Sequence, residues 1–139
     1  MEERLYKEPT SYTPRIDFNP KKQKFEIAGI SRPEDAYDFY DPILMWMEKY
    51  TERILKDLAE NKLMNETFIM VFDFIYMNSS SSKYIFQIIA YLKKLYEKQL
   101  NLTIFWYYDD QDDQILEDGE DFSDIISVPF KFMTREQQN

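Results

Sequence analysis

The sequence predicts an α/β domain in which helices pack on a mixed β-sheet, and three observations lead to this fold class. Residues Glu66–Met77 and Leu102–Tyr108 are apolar runs of strand length. Between them, residues Lys83 to about Gln99 place apolar side chains at the spacing of one helical face. A strand, a helix and a strand with short joints form a right-handed crossover between parallel strands.

Length and composition indicate a single packed domain. The chain has 139 residues, of which 44% are hydrophobic and 17% aromatic, enough apolar side chain for one core. We expect that domain to cover residues 1–139, with its core at about 10–133 and with polar ends outside it. The tail from Thr134 to Asn139 is polar and is expected to fray.

Missing residue types exclude most enzyme classes. The chain contains neither Cys nor His, which removes Ser-His-Asp and Cys-His catalysis and any cysteine-based zinc site. Its two glycines, Gly29 and Gly119, are too few for the loops that cradle phosphates or dinucleotides. We therefore expect no enzyme, no cofactor and no metal; a carboxylate-dependent hydrolase is a distant alternative.

Charge and hydropathy limit the partners and the location. A net charge of −9 repels nucleic acid, so none is expected as a partner. No apolar run reaches the length of about 18 residues typical of a membrane span, so no membrane insertion is expected. Residues Met1–Arg4 lack the pattern of a signal peptide, which favours a cytoplasmic location.

The first half of the chain predicts a hairpin followed by a long helix. A possible strand around Tyr12–Phe18, a turn at Asn19–Lys22 and alternation over Lys24–Ile30 indicate the hairpin. Residues Ser31–Glu34 fit a capping box for a helix with apolar positions from Ala36 to Leu58. Pro42 predicts a kink, or a restart with Asp41 as cap.

Residues Glu66–Met77 predict the central strand of the sheet. Both of its faces are apolar, which is typical of a sheet covered on both sides. One face is predicted to hold Phe68, Met70, Phe72, Phe74 and Tyr76. Asp73 interrupts the other face and is expected to find a Lys, Arg or Tyr partner. Residues Ile125–Phe132 predict a last edge strand that tolerates Pro129.

The first candidate site is the run Asn78-Ser79-Ser80-Ser81-Ser82-Lys83. It follows the central strand at the sheet edge where sites form in α/β folds, and it leads into a helix N-terminus, which favours anions. A phosphoserine, with a charge of about −1.5 to −2, suits such a place. Alternatively, one serine caps the helix and the others fill a turn.

The second candidate is the acidic segment Asp109–Asp124, which contains no Lys or Arg. Gln114 and Ile115 stand where an EF-hand loop needs other residues, so the segment is not an EF-hand. Three interpretations stay open: a docking surface for a basic partner, weak calcium binding, and an acidic loop that keeps the protein in solution.

From about Thr13 to Phe132, the chain resembles the SiaC-like family of bacterial regulatory phosphoproteins. The most specific element of this resemblance is Tyr76-Met77-Asn78-Ser79-Ser80-Ser81-Ser82-Lys83. Other matching stretches are Thr13–Ile16, Arg32–Asp35 leading into Trp46–Glu48, Trp106–Asp109, and Gly119–Phe122 to Pro129–Phe130.

The resemblance implies a fold like that of anti-sigma-factor antagonists (STAS-like) and a role in partner switching. In this family a kinase phosphorylates the residue after the motif's asparagine, and a PP2C-type phosphatase reverses the step. The unphosphorylated form then binds and activates a diguanylate cyclase. The matching position is Ser79, where the best-known pattern has threonine; Ser80 and Ser81 are the alternatives.

The sequence therefore predicts a non-catalytic protein that is switched by phosphorylation. The residues predicted to bind partners are Asn78, Ser79, Ser80, Lys83, Asp109 and Asp110. The alternative is an acidic protein-binding or calcium-binding module without a phosphorylation switch.

Overall fold

A computed structural model describes residues 3–63 and 65–135 of the chain. Within these residues, six strands form a single mixed sheet, and three helices connect its parallel strands. The elements are β1 (Leu5–Lys7), β2 (Arg15–Asn19), β3 (Lys24–Ser31), α1 (Ala36–Ala59), β4 (Thr67–Met77), α2 (Ser79–Glu97), β5 (Asn101–Tyr108), α3 (Asp113–Ile126) and β6 (Phe130–Thr134). The predicted single-domain α/β fold with a mixed sheet is confirmed.

The strands lie side by side in the order in which they occur along the chain. β1, β2 and β3 are antiparallel, whereas β3, β4, β5 and β6 are parallel and are joined through α1, α2 and α3 in turn. Because right-handed crossovers that all step in the same direction keep their helices on the same face, one face of the sheet carries α1, α2 and α3.

Contacts in the core show this one-sided arrangement. Phe25 of β3 and Phe68 of β4 lie with residues of α1 and α2 around one small void, and Trp106 of β5 contacts Phe122 of α3. The prediction that the sheet is covered on both faces is wrong. On the opposite face Val71 is buried, but Ile75 is 59% exposed. Asp73 lies on that face and pairs with Arg135 at 3.1 Å, as the sequence predicted.

A β-bulge changes which residues of β4 face the core. Gly29 of β3 pairs with Phe74 and Ile30 pairs with Tyr76, so Ile75 is an extra residue without a partner in β3. Beyond the bulge the alternation is reversed: Tyr76 is 50% exposed and Met77 is buried. The prediction that Tyr76 shares the core face with Phe74 is therefore wrong.

The start of α1 also differs from the prediction. Asp35 caps the helix, since its Oδ1 accepts the N–H of Asp38 at 3.1 Å. Ser31 cannot be the cap because it is still part of β3. The helix runs from Ala36 to Ala59 through Pro42 without restarting at Asp41, although Pro42 has no N–H to donate.

The two ends of the sheet differ from the predicted boundaries. The hairpin is confirmed as β2 and β3, but β2 begins at Arg15, and β1 adds an edge strand outside the predicted core. β1 is held partly by Arg4, which donates two hydrogen bonds of 2.8 Å to Asp17. At the other end, β6 is the predicted edge strand, but it begins after Pro129 because Ile125 and Ile126 belong to α3.

Thr134 is the last residue of β6, and Arg135 is held by Asp73, so neither frays. The rest of the predicted tail, residues 136–139, lies outside the described residues. Among the described helices, none combines the length and apolar character needed to span a bilayer. The cytoplasmic location stays a prediction.

Candidate phosphorylation site

The serine run forms the first turn of α2 and is not a loop that precedes a helix starting at Lys83. Asn78 is the N-cap: its Oδ1 accepts the N–H of Ser81 at 2.8 Å, and its carbonyl accepts the N–H of Ser82 at 3.0 Å. The alternative that a serine caps this helix is therefore wrong. Asparagine is among the strongest N-cap residues, which explains why α2 begins as soon as β4 ends.

The hydroxyl groups of the run differ sharply in accessibility. Ser79 and Ser80 are exposed, whereas Ser81 has 0% relative exposure. Ser82 is half-buried and its hydroxyl donates to the carbonyl of Ser79 at 2.8 Å. Lys83 is exposed on the next position of the helix. Of the three serines predicted as acceptors, Ser79 and Ser80 can meet an enzyme without a change in structure.

The N-terminus of α2 offers hydrogen-bond donors to an anion. The N–H groups of Ser81 and Ser82 are taken by Asn78, and the N–H of Asn78 donates to the carbonyl of Ser31 at 3.0 Å. Among the described residues, the N–H groups of Ser79 and Ser80 have no acceptor. These two donors, at the positive end of the helix dipole, favour a negative charge on this turn.

A cleft of about 430 Å³ lies beside Ser79. It exists because β5 stops pairing with β4 at Asp73, so the end of β4 projects beyond its neighbour. The lining residues come from β4, the first turn of α2 and α3: Tyr76, Met77, Asn78, Ser79, Ser82, Gln114 and Asp118. The β4 bulge contributes to this cleft because it turns Tyr76 away from the core.

The far wall of the cleft is helix α3, which lies largely within the acidic segment and was not predicted as a helix. Asp112 caps this helix, with its Oδ1 accepting the N–H of Ile115 at 3.0 Å. Ile115, Phe122 and Ile126 face the core, so the acidic side chains are left on the outer face. Asp109 and Asp110 lie in the turn before α3, and neither lines the cleft.

Asp118 gives the cleft its charge. Burial raises the pKa of Asp118, and the neighbouring carboxylates of Asp121, Glu117 and Asp112 raise it further. Gln114 opposes this shift by donating a hydrogen bond of 2.8 Å to Asp118. Negative charge is therefore disfavoured on this wall. No group of acidic residues within the described ranges has a geometry that would hold a metal ion.

A profile of SiaC family regulatory phosphoproteins matches residues 7–135. The chain belongs to the SiaC family. The resemblance found in the sequence is thereby confirmed, and so is the prediction of a regulatory protein that is not an enzyme.

SiaC structures from Pseudomonas aeruginosa have the same fold. Apo-SiaC is 22% identical with a TM-score of 0.74, covering 96% of this chain and 98% of that one. A second match is the crystal structure of diguanylate cyclase SiaD in complex with its activator SiaC. It is 23% identical with a TM-score of 0.77, covering 94% of this chain and 99% of that one. An uncharacterized protein of strain UCBPP-PA14 is 23% identical over 92% of this chain and 94% of its own length. The finer likeness to anti-sigma-factor antagonists stays a prediction.

The structure brings some of the predicted SiaC-family site residues together and separates others. Asn78 and Ser79 line the cleft, and Ser80 and Lys83 lie on the same turn of α2 outside it. Sequence reasoning did not single out Tyr76, Gln114 or Asp118 as cleft residues. Tyr76 had been assigned to the core from the regular alternation of β4, and only the bulge reveals its position.

Proposed function

We propose that this SiaC-family protein is a phosphorylation switch whose acceptor is Ser79. A protein kinase phosphorylates the Ser79 hydroxyl, and a PP2C-type phosphatase removes the phosphate. The unphosphorylated form binds a diguanylate cyclase and activates it. The observation that carries this proposal is the position of Ser79, which is exposed at the start of α2 and forms part of the wall of the cleft.

The choice of Ser79 over its neighbours follows from accessibility. Ser81 is buried and its hydroxyl is hydrogen-bonded, so phosphorylation there would require the first turn of α2 to open. Ser80 is exposed and stays the alternative acceptor, but it does not line the cleft. A phosphate on Ser79 would change the charge and the shape of the cleft that Ser79 lines.

A phosphate on Ser79 is compatible with the fold. The N–H groups of Ser79 and Ser80 and the helix dipole favour it, the dipole by about 0.3–1 kcal/mol. Asp118 lies on the same cleft, and the phosphate would add to the negative charge that already raises the pKa of that carboxyl. The modification therefore changes the charge of the cleft strongly while leaving the helix in place.

The effect on a partner follows from desolvation. A partner surface that covers the cleft would have to take a phosphate out of water, and an unpaired buried charge costs several kcal/mol. Each ~1.4 kcal/mol is a factor of ten in affinity. A diguanylate cyclase is proposed as that partner because of a crystal structure of SiaC, which shares this fold. In that structure SiaC is in complex with the diguanylate cyclase SiaD, and SiaC is the activator of SiaD.

The test begins with the protein purified from its native cell. Mass spectrometry should find phosphate on Ser79, and none in a Ser79→Ala variant, which should stay folded. Unphosphorylated wild type and Ser79→Ala should capture a diguanylate cyclase and raise its production of cyclic di-GMP, whereas Ser79→Asp should bind at least about a hundredfold more weakly.

Ser80→Ala is the matched control, because it removes the other exposed hydroxyl of the same turn. It should be phosphorylated and should bind like wild type. Phosphate on Ser80 in wild type would move the acceptor by one residue. Equal binding of phosphorylated and unphosphorylated protein would refute the switch.

The outer face of α3 supports a second candidate, an acidic docking module that works without phosphorylation. Asp113, Glu117, Glu120, Asp121 and Asp124 are exposed, and no Lys or Arg occurs from Asp109 to Phe130. Such a surface attracts a basic partner, and added salt would weaken the interaction. Salt-sensitive binding by a protein that carries no phosphate in the cell would favour this function.

A further inference from the structure

Three buried hydroxyl groups meet beneath the first turn of α2. The Oγ of Ser31, at the end of β3, lies 2.5 Å from the hydroxyl of Tyr40 in α1 and 2.7 Å from the Oγ of Ser81 in α2. The Oγ of Ser81 also lies 3.2 Å from the carbonyl oxygen of Ser31. All three side chains have 0% relative exposure, so water does not compete for these bonds.

The number of available protons fixes which hydroxyl group donates in each of these hydrogen bonds. Each hydroxyl has one proton to donate. The carbonyl oxygen of Ser31 can only accept, so the proton of Ser81 goes to it. Ser31 Oγ must then donate to Ser81, and Tyr40 must donate to Ser31. The phenol is neutral, as this role requires, because burial raises the pKa of Tyr40 to about 12.

We propose that this hydroxyl chain, from Tyr40 through Ser31 to Ser81, selects the acceptor within the serine run. It holds the first turn of α2 in one rotational position, so that Ser79 faces out and Ser81 is withheld. The inference rests on the proposed switch and adds a reason for its specificity. Tyr40 and Ser31 act as positioning residues.

Helix geometry explains why fixing Ser81 selects Ser79. An α-helix turns about 100° per residue, so a residue two positions away lies about 200° around the axis. When Ser81 faces the core, Ser79 faces almost directly away from it, and Ser80 and Ser82 lie to the sides. The burial of Ser81, the partial burial of Ser82 and the exposure of Ser79 agree with this geometry, while Ser80 is exposed as well.

The four serines carry the same hydroxyl group, so an enzyme can distinguish them only by their flanking residues and by how the fold presents them. The first turn of a helix is held weakly by the helix itself, since its first N–H groups have no partners within the helix. The hydroxyl chain supplies the missing constraint from β3 and α1. Without it, the turn opens more often and each hydroxyl becomes reachable.

Two variants test the proposal. Tyr40→Phe removes the donor to Ser31 and keeps the ring that stacks on Tyr84, and Ser31→Ala removes the link between Tyr40 and Ser81. Each is expressed in the native cell, and the phosphate is located by mass spectrometry. We expect phosphate on Ser79 in wild type, and phosphate that also appears on Ser81 and Ser82 in the variants.

A second measurement needs no kinase. Hydrogen exchange of the amides of residues 81–83 should be faster by roughly tenfold in each variant, because a buried hydroxyl loses a partner and the hydrogen bonds that protect these amides open more often. Tyr84→Phe is the matched control: it removes a phenol hydroxyl from the ring stacked at 5.4 Å on Tyr40 and leaves the hydroxyl chain intact. Its phosphate position and its exchange rates should equal those of wild type.

The outcomes separate the two proposals. Phosphate confined to Ser79 in both variants, or unchanged exchange of residues 81–83, overturns the role of the hydroxyl chain and leaves the switch standing. A wild-type serine run without phosphate overturns the switch, and the selection of an acceptor falls with it. If Ser31→Ala does not fold, Tyr40→Phe decides alone, because it removes one oxygen atom and keeps the ring.

Discussion

At the scale of single residues, Gly119 shows how a position without a side chain can shape the molecule. A Cβ at Gly119 would lie 2.5 Å from Nε1 of Trp106, closer than atoms can approach. The same indole nitrogen donates to the carbonyl of Ile115 at 2.8 Å, so helix α3 lies directly on the tryptophan of β5. Gly119 was visible in the sequence, but this role depends on a residue that only the fold brings near.

Gly119→Ala is expected to destabilise the protein by about 1–2 kcal/mol. Overpacking against Trp106 costs about 1–3 kcal/mol, and the better helix propensity of alanine returns up to about 1 kcal/mol. The midpoint of urea unfolding should fall, while Glu120→Ala, at an exposed neighbouring position of α3, should leave it nearly unchanged. A midpoint that rises in Gly119→Ala would contradict this account of the contact.

The serine run marks the limit of residue-level prediction. Its position after the central strand was predicted correctly, because the end of β4 and the start of a helix are local features. The burial of Ser81 was not predicted, since Ser81 is distinguished by a hydrogen bond to Ser31, a residue 50 positions away in the chain. Pattern alone treats the four serines as equivalent.

At the scale of elements, α3 was recognisable in principle. Ile115, Phe122 and Ile126 follow helical spacing with Gly119 between them, but the surrounding carboxylates made the segment resemble a loop. The β4 bulge, in contrast, could not be predicted from the strand itself. It arises from pairing with β3, where Gly29 has a φ of +119°, a backbone conformation that other residues rarely adopt.

The charge of α3 leads to a pH prediction for Asp118→Asn. Folding raises the pKa of Asp118. The protonated carboxyl therefore favours the folded state when the pH is below the pKa that Asp118 has in the unfolded chain. This contribution is lost as the pH rises through the pKa that Asp118 has in the folded protein. Asparagine keeps the oxygen that accepts from Gln114 and has no charge. The variant should therefore be more stable than wild type at neutral pH, by less than about 1 kcal/mol since the group is partly exposed.

The measurement is thermal unfolding of both proteins from about pH 3 to pH 7, across the ordinary range of aspartate titration. The difference in melting temperature should vanish at the acidic end, where Asp118 is neutral in both the folded and the unfolded state. Glu120→Gln, on the exposed face of the same helix, is the control for removing one negative charge from α3. An advantage of Asp118→Asn that persists undiminished in acid would exclude the proposed cause.

At the scale of the whole molecule, the fold class was predicted but its layering was not. Apolar residues on both sides of β4 suggested two covered faces, yet the helices lie on one. Val71 is buried on the opposite face without a helix above it, while Ile75 is left exposed. The number of covered faces depends on the order of strands, and the apolar pattern of one strand does not report that order.

A single hydrophobic core predicts that both ends of the sheet unfold together. Trp46 lies at one end, against Phe18 and Phe25, and Trp106 lies towards the other, against Phe72 and Phe130. In Trp46→Phe, fluorescence reports Trp106 alone, and in Trp106→Phe it reports Trp46 alone. Within each variant, the urea midpoint from fluorescence should coincide with that from far-ultraviolet circular dichroism. Two separate midpoints in one variant would show that the ends unfold independently.

The agreement between the order of strands in space and their order along the chain has a consequence for synthesis on the ribosome. Each strand that emerges is added to the outer edge of the strands before it, and no later strand has to insert between two that already pair. The hairpin of β2 and β3 is complete before α1 is made, and each of β4, β5 and β6 arrives after the helix that precedes it. Because chains emerge at about 5–20 residues per second, pairing at the growing edge has time to follow translation.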